Sequence, residues 1–226
     1  MARTVAEPRG TRTAGARPTT EPAPIDGRAA RGERTRRALA EALVALVEEG
    51  DLRPTARAVA ARAGVSQRIV FHHFDDVEGV LREAVAVQVE RHWSKLRPID
   101  PALSTENKVT LVVRQRSALF EAISPMRRAA ALAEDSSPTV AAQLARAQRG
   151  LRNALAQAFQ PELDDAGAGP GRSDLLDALE LCSGWETWDQ LRRRMGHGPA
   201  AARRVMTRLL VAALGPHASD SKGDHS

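Results

Sequence analysis

Pro54-Thr-Ala-Arg-Ala-Val-Ala-Ala-Arg-Ala-Gly-Val-Ser-Gln-Arg-Ile-Val-Phe-His-His-Phe74 is the stretch around which the chain is organised. Its spacing predicts two short helices joined by a tight turn. Thr55 is placed to cap the first helix, because its hydroxyl can accept from the free N–H groups of the first turn. Ala56, Val59, Ala60 and Ala63 recur at helical spacing and make a small apolar face. Gly64 ends that helix, since glycine readily enters the left-handed conformation a sharp exit needs. Val65 reads as a buried plug, and Ser66 as the cap of a second helix over about Gln67 to Phe74. There Ile69, Val70, His73 and Phe74 fall toward the inside, and Gln67, Arg68 and His72 toward solvent. A helix, a glycine turn and a second helix with outward polar residues at its start is the layout of a DNA-reading helix-turn-helix. Gln67 has the shape for a bidentate contact with adenine, and Arg68 with guanine.

Ala60-Ala61-Arg62-Ala63-Gly64-Val65-Ser66 followed by Phe71-His72-His73-Phe74 resembles the TetR family of one-component transcriptional regulators. That family usually shows an I-A-x-x-A-G-V-S run and then an aromatic-x-H-F signature. The resemblance spans about Arg34 to Leu81, including Thr35-Arg36 and the Glu49-Gly50 turn. It implies an all-α fold of about nine helices, with an N-terminal three-helix helix-turn-helix domain and a C-terminal helical domain for dimerisation and effector binding. It also implies a repressor that binds a palindromic double-stranded DNA operator as a homodimer. A small apolar effector would change the spacing of the two recognition helices through a long fourth helix. The DNA-facing set is Arg53, Thr55, Arg57, Ser66, Gln67, Arg68, His72 and His73, with packing the main role of His73. The family places a tyrosine where Phe71 stands and a lysine where Val77 stands, and both usually touch phosphate. Neither replacement can, so that work passes to Arg53, Arg57, Arg68 and the arginines ahead of the first helix. Where Arg68 stands the family has a small residue or proline, which makes Arg68 a source of individual specificity. A second class stays open: a helix-turn-helix protein that serves as a protein-partner module, or an activator without a small-molecule effector. Salt-sensitive binding to one specific duplex separates the DNA regulator from the partner module.

The composition agrees with packed helices. Of 226 residues, 42% are hydrophobic but only 3% aromatic, with no tyrosine, so the core must be built from Ala, Leu and Val. The net charge of +5 is modest, so its placement matters more than its size. Leu52 to Phe74 holds four arginines and no acid, and Arg28 to Arg37 holds five arginines and one acid. A local basic footprint of that kind suits a phosphate backbone. Cys182 is the only cysteine, which excludes an intrachain disulfide or a cysteine-rich zinc site. No signal-peptide pattern opens the chain and no apolar run is long enough to span a bilayer, so a cytoplasmic protein without a membrane partner is expected. No His-Glu-x-x-His, Walker loop, Gly-x-Ser-x-Gly or Cys-x-x-Cys is present, so no catalytic residue, cofactor or metal is expected. Adjacent His72 and His73 point roughly 100° apart on a helix and make a poor chelate.

Residues 1–30 are expected to form a disordered basic arm, either touching DNA or serving as a plain leader. Residues 31–81 form the DNA-binding domain, its first helix running from about Arg31 to Glu49. Residues 82–96 continue helix four until Pro98 and Pro101 end it. Residues 97–215 form the C-terminal domain, and 216–226 a disordered tail. Within that domain Pro125 is expected to break a fifth helix, leaving a short sixth from Met126 to Ala133. A seventh opens at Ser137-Pro138, a flexible loop covers Asp164 to Arg172, an eighth runs unbroken from Ser173 to Met195, and a ninth from Ala200 to Leu214. Phe120, Trp185 and Trp188 either line an effector site or fill the core and the dimer seam. Leu175, Leu179 and Cys182, with Val205, Leu209 and Ala213, are the stripes expected to pair with a second copy as a four-helix seam.

Overall fold

The computed structural model describes residues 27–215, and these are all α-helical apart from turns and connections. The elements are α1 Gly27–Glu48, α2 Ala56–Arg62, α3 Gln67–His73, α4 Val77–Trp93, α5 Thr105–Ala131, α6 Pro138–Ala158, α7 Gln160–Asp165, α8 Pro170–Ser183, α9 Trp185–Asp189 and α10 Pro199–Leu214. A single turn of π-helix, Gln190–Arg194, follows α9. The expectations for residues 1–26 and 216–226 lie outside the described residues.

Several boundaries differ from the sequence reading, each for a physical reason. Helix α1 begins at Gly27 rather than Arg31, because the Arg and Ala residues there are strong helix formers. Helix α4 stops at Trp93, well before Pro98. The connection that follows is clipped to α5 by Gln115, whose amide accepts from the Arg97 N–H at 2.7 Å and donates to the Arg97 carbonyl at 3.1 Å. Pro125 does not break α5, which runs through it. One lost backbone bond is outweighed because Phe120 and Ser124 before the proline, and Met126, Ala129 and Ala130 after it, are all buried. The expected loop shrinks to 166–169, since Gly169 takes a positive φ of 83° and Pro170 starts α8 in the first-turn position it favours. The expected long eighth helix is split at Gly184, which is extended at φ −75° and ψ 167°.

Two clusters of buried side chains hold the molecule together. The first joins α1 to α4 through Leu39, Leu43, Val59, Val70, Val80 and Ala84. It also takes Met126, Ala129 and Ala130 from α5 and Val140 from α6, so the N-terminal helices are seated on the rest of the chain. The second cluster joins α5 to α10 around Phe120, Phe159, Leu163, Leu179, Trp188 and Met206. At its far end Lys108 and Glu162, both nearly sealed from solvent, form an ion pair at 2.6 Å. Burial alone would raise the Glu162 carboxyl, but hydrogen bonds from Lys108 and Thr105 hold it below its usual range.

Leu179 is fully buried in this second cluster, so it leaves the set expected at the dimer seam. Leu175, Cys182, Val205 and Ala213 are half-buried at the edge of the same cluster. Leu209 faces out at 39% exposure.

Candidate DNA interface and ligand cavity

Helix α2 is capped as its sequence implies: the Thr55 hydroxyl accepts from the Ala58 N–H at 3.2 Å. Gly64 turns the chain at φ 69°, a conformation that costs a residue with a side chain. Val65 is half-buried rather than a sealed plug. Ser66 occupies the cap position of α3 with extended backbone, yet its hydroxyl makes no capping bond, so the expected cap is corrected.

Successive residues turn by about 100° on a helix, so Gln67, Arg68, Phe71 and His72 share the outer face of α3, and all four are exposed. Phe71, which cannot make the phosphate contact of a tyrosine, is 51% exposed in the middle of that face. His73 faces the other way. It lies half-buried beside Gly32 of α1, and burial, then the charges of His72 and Arg36, hold its imidazole below its usual pKa. It packs between α3 and α1 rather than on the outer face of α3. Arg36 fixes the end of α3 from α1: it donates to the His73 carbonyl at 2.8 Å, pairs with Glu83 at 3.1 Å, and lies 4.4 Å over the Phe74 ring.

The cations sort into two groups. Arg62 is held by Glu49, which lies just outside the acid-free window of the sequence. Arg37 is shared between Glu41 and Glu90. Among the described residues, Arg53, Arg57 and Arg68 are exposed and have no carboxylate partner. These three free cations sit on and next to the helix-turn-helix, where a polyanion would meet them.

A cavity of about 510 Å³ lies where the two clusters meet, walled by α4, α5, α6 and the α8–α9 junction. Val85, Leu119, Phe120, Ile123, Met126 and Leu144 supply much of its apolar wall. Of the three expected effector residues, Phe120 and Trp185 line it. Trp188 does not: it points into the second cluster, fully buried, and its indole N–H donates to Glu121 at 3.0 Å. Trp93 also lines the cavity, lying across Gly150 so closely that a Cβ there would overlap the ring.

The polar groups of the cavity were not singled out from the sequence. Arg116 is 5% exposed, and burial pushes its guanidinium down to about 10, still protonated at neutral pH. It donates to the Ser183 carbonyl and hydroxyl, each at 3.0 Å, and to the Leu151 carbonyl at 2.7 Å. It thereby covers the Ser183 carbonyl left free where Gly184 stops α8 and ties that end to α6. Arg127 pairs with Glu134 and Glu186 and lies 4.7 Å over the Trp185 ring. Glu180 and Asp177 both pair with Arg152. Gln88 is 4% exposed, and neither its amide nitrogen nor its amide oxygen meets a protein partner. A polar residue at a core-facing step of α4, in register with Ala84, Val85 and His92, was the available signal.

Among the described residues no three His, Cys, Asp or Glu side chains converge as a metal set, and no helix is long and apolar enough to cross a membrane.

Comparison with known proteins bears on both halves. Residues 38–84 match the family model described as bacterial regulatory proteins, tetR family. No curated protein matches the chain. Among solved structures, a chain named as a TetR-family transcriptional regulator from Mesorhizobium loti MAFF303099 is 18% identical, with a TM-score of 0.56 over 81% of this chain and 96% of that one. At that identity the likeness speaks to the fold alone. A chain named as a transcriptional regulator from Pseudomonas aeruginosa PAO1, also 18% identical, covers 82% of this chain and 93% of its own with a TM-score of 0.47, too loose a likeness to carry an argument.

Proposed function

Because the chain belongs to the TetR family of bacterial regulatory proteins, DNA-binding regulators of transcription, we propose that it is a ligand-responsive repressor holding a palindromic operator as a homodimer. The observation that carries the reading is the junction at α4. Its first half, with Val80 and Ala84, is part of the core beneath the recognition helix. Its second half, with Gln88, His92 and Trp93, walls the cavity. A molecule filling the cavity acts on the same rigid helix that seats the DNA reader, which is the link a switch requires.

In this reading Gln67 and Arg68 contact base edges, Phe71 packs against a thymine methyl, and Arg53, Arg57 and His72 hold phosphates. Two copies are needed, because a palindrome presents its halves about 34–36 Å apart or at a larger groove-matched spacing. Helices α8 and α10 pack side by side and offer the seam, with Cys182, Val205, Leu209 and Ala213 as its apolar residues. DNA and protein would meet in the cytoplasm.

The test uses duplexes from the DNA flanking the gene, titrated with the full chain at several salt concentrations. One duplex is expected to bind far more tightly than random DNA, with a steep inverse salt dependence. Equal affinity for all duplexes would refute operator recognition. Salt-independent binding would refute the phosphate contacts.

A further inference from the structure

The buried polar atoms left unpaired in the cavity wall are uncharged, although charged residues surround it. Each carboxylate on its wall is already paired, and so are Arg127 and Arg152. Arg116 is bound to three uncharged oxygens, two of Ser183 at the end of α8 and the Leu151 carbonyl of α6. Arg127 has Glu134 and Glu186, and Arg152 answers both Asp177 and Glu180. The His92 imidazole is held below its usual pKa by burial and by Lys95 and Arg91, which favours its uncharged form. Among the fully buried side-chain atoms, what remains unanswered is amide: both polar atoms of Gln88, and the side-chain oxygen of Gln143. The Gln143 nitrogen is occupied by the Arg82 carbonyl at 3.3 Å.

A buried polar atom without a partner is costly, and its persistence in a cavity wall marks a place where something else completes the bond. Gln88 presents one donor and one acceptor side by side, whichever way its amide is turned. The complement of that pair is an acceptor and a donor side by side, as in another amide. An anion would satisfy only the donor and a cation only the acceptor.

We propose that the cavity binds an uncharged, mostly apolar molecule bearing a carboxamide, lactam or urea group, and that Gln88 reads this group through a paired donor–acceptor contact. Gln143 supplies a further acceptor from α6. The inference rests on the effector reading above and names the chemistry of that site. It also places the reading residue on α4, so recognition of the polar group is made by the helix shared with the DNA-binding core.

The chain offers its own reporter. Its three tryptophans are Trp93 and Trp185, which line the cavity, and Trp188, fully buried in the second cluster. Titrating the full chain with octanamide, octanoate and octylammonium at neutral pH, and following tryptophan emission, compares an amide, an anion and a cation on one hydrocarbon tail. Octanamide is expected to bind about tenfold or more tightly than either ion, because a site built for a polar pair rejects ligands that leave it unpaired. Gln88→Met, of similar shape, is expected to abolish that preference, and Gln88→Leu serves as a second variant if the first folds poorly. A preference for octanoate would overturn the proposal in favour of an anion site at Arg116. Equal binding of all three, or an amide preference unchanged in both variants, would also overturn it. In each of those cases the cavity remains a ligand site. No emission change with any of the three would overturn the effector reading as well, and DNA binding would be untouched.

Discussion

The two halves of the molecule solve opposite problems. The helices beneath the outer face of α3 close on an apolar cluster in which Leu39, Leu43, Val59 and Val70 are fully buried. The helices behind them leave a hollow of about 510 Å³ and line it with a buried guanidinium and an unpartnered amide. The difference fits the division of labour proposed for the two halves. A reader of base edges must hold side chains within fractions of an ångström, and close packing supplies that rigidity. A sensor must leave something unfinished, so that a ligand can complete it.

The largest effect expected from breaking this picture is at neither centre but at the seam. Leu209→Asp places a charge on a side chain that is exposed in the single subunit and covered in the proposed dimer. An unpaired buried charge costs several kcal/mol, about 3–5, so sedimentation should show monomers and operator affinity should collapse while helicity is kept. Wild-type protein that is already monomeric at micromolar concentration and still binds its operator tightly would contradict the dimer.

A matched pair of truncations sharpens the contrast between closed and hollow cores. Leu39→Ala, at 0% exposure in the closed cluster, should cost about 2–5 kcal/mol of unfolding free energy. Leu144→Ala, at the cavity wall, should cost clearly less, about 1–2 kcal/mol, because it enlarges a space already empty and removes fewer contacts. Denaturant melts measure both, and equal losses would mean that the cavity collapses in solution.

These contrasts show what was legible beforehand. The helix-turn-helix could be read because its signals are local: a Thr55 cap, a Gly64 turn and apolar residues at steps of three and four all lie within a few residues of what they control. The all-α character could be read from the same periodicity throughout. What failed depended on distant partners. Pro125 is a helix breaker by local rules, but packing on both sides carries α5 through it. Trp185 and Trp188 look alike in sequence, yet one faces the cavity and the other Glu121. Leu179 belongs to an apolar stripe that could equally have faced a partner. Gln88 is one polar letter in an apolar register, and only the geometry shows that nothing in the protein answers it.

A smaller effect separates reading from mere attraction within the DNA half. Arg68→Ala should cost about 1–3 kcal/mol on the preferred duplex and relax the preference at one base pair of each half-site. Arg57→Ala should weaken all duplexes alike and lower the salt slope. Equal loss on preferred and random DNA for Arg68→Ala would assign that residue to phosphate only.

The smallest effect concerns protons. Burial, reinforced by neighbouring cations, holds His73 and His92 below the ordinary histidine pKa. The unfolded chain therefore takes up protons first as the pH falls below about 6.5. Stability should be full above that value and decline on acidification until the folded-state pKa values are passed. Glu49, Glu121 and Glu162 are held below their usual range, so their contributions are lost only at lower pH. Melts at pH 7.5 and 5.5 test the sign, with His92→Gln expected to flatten part of the slope. Stability that rises on acidification across this window would contradict the assignment.

The central claim is that the exposed face of α3, carried in two copies, reads a symmetric DNA sequence. Sequencing the duplexes that the purified full chain selects from a random pool tests it most directly. The account predicts a palindromic motif whose half-sites lie one or more helical turns apart, and a change at one position per half-site when the selection is repeated with Arg68→Ala. A pool that shows no enrichment after repeated selection, or an enriched motif without two-fold symmetry that Arg68→Ala leaves unchanged, would contradict it.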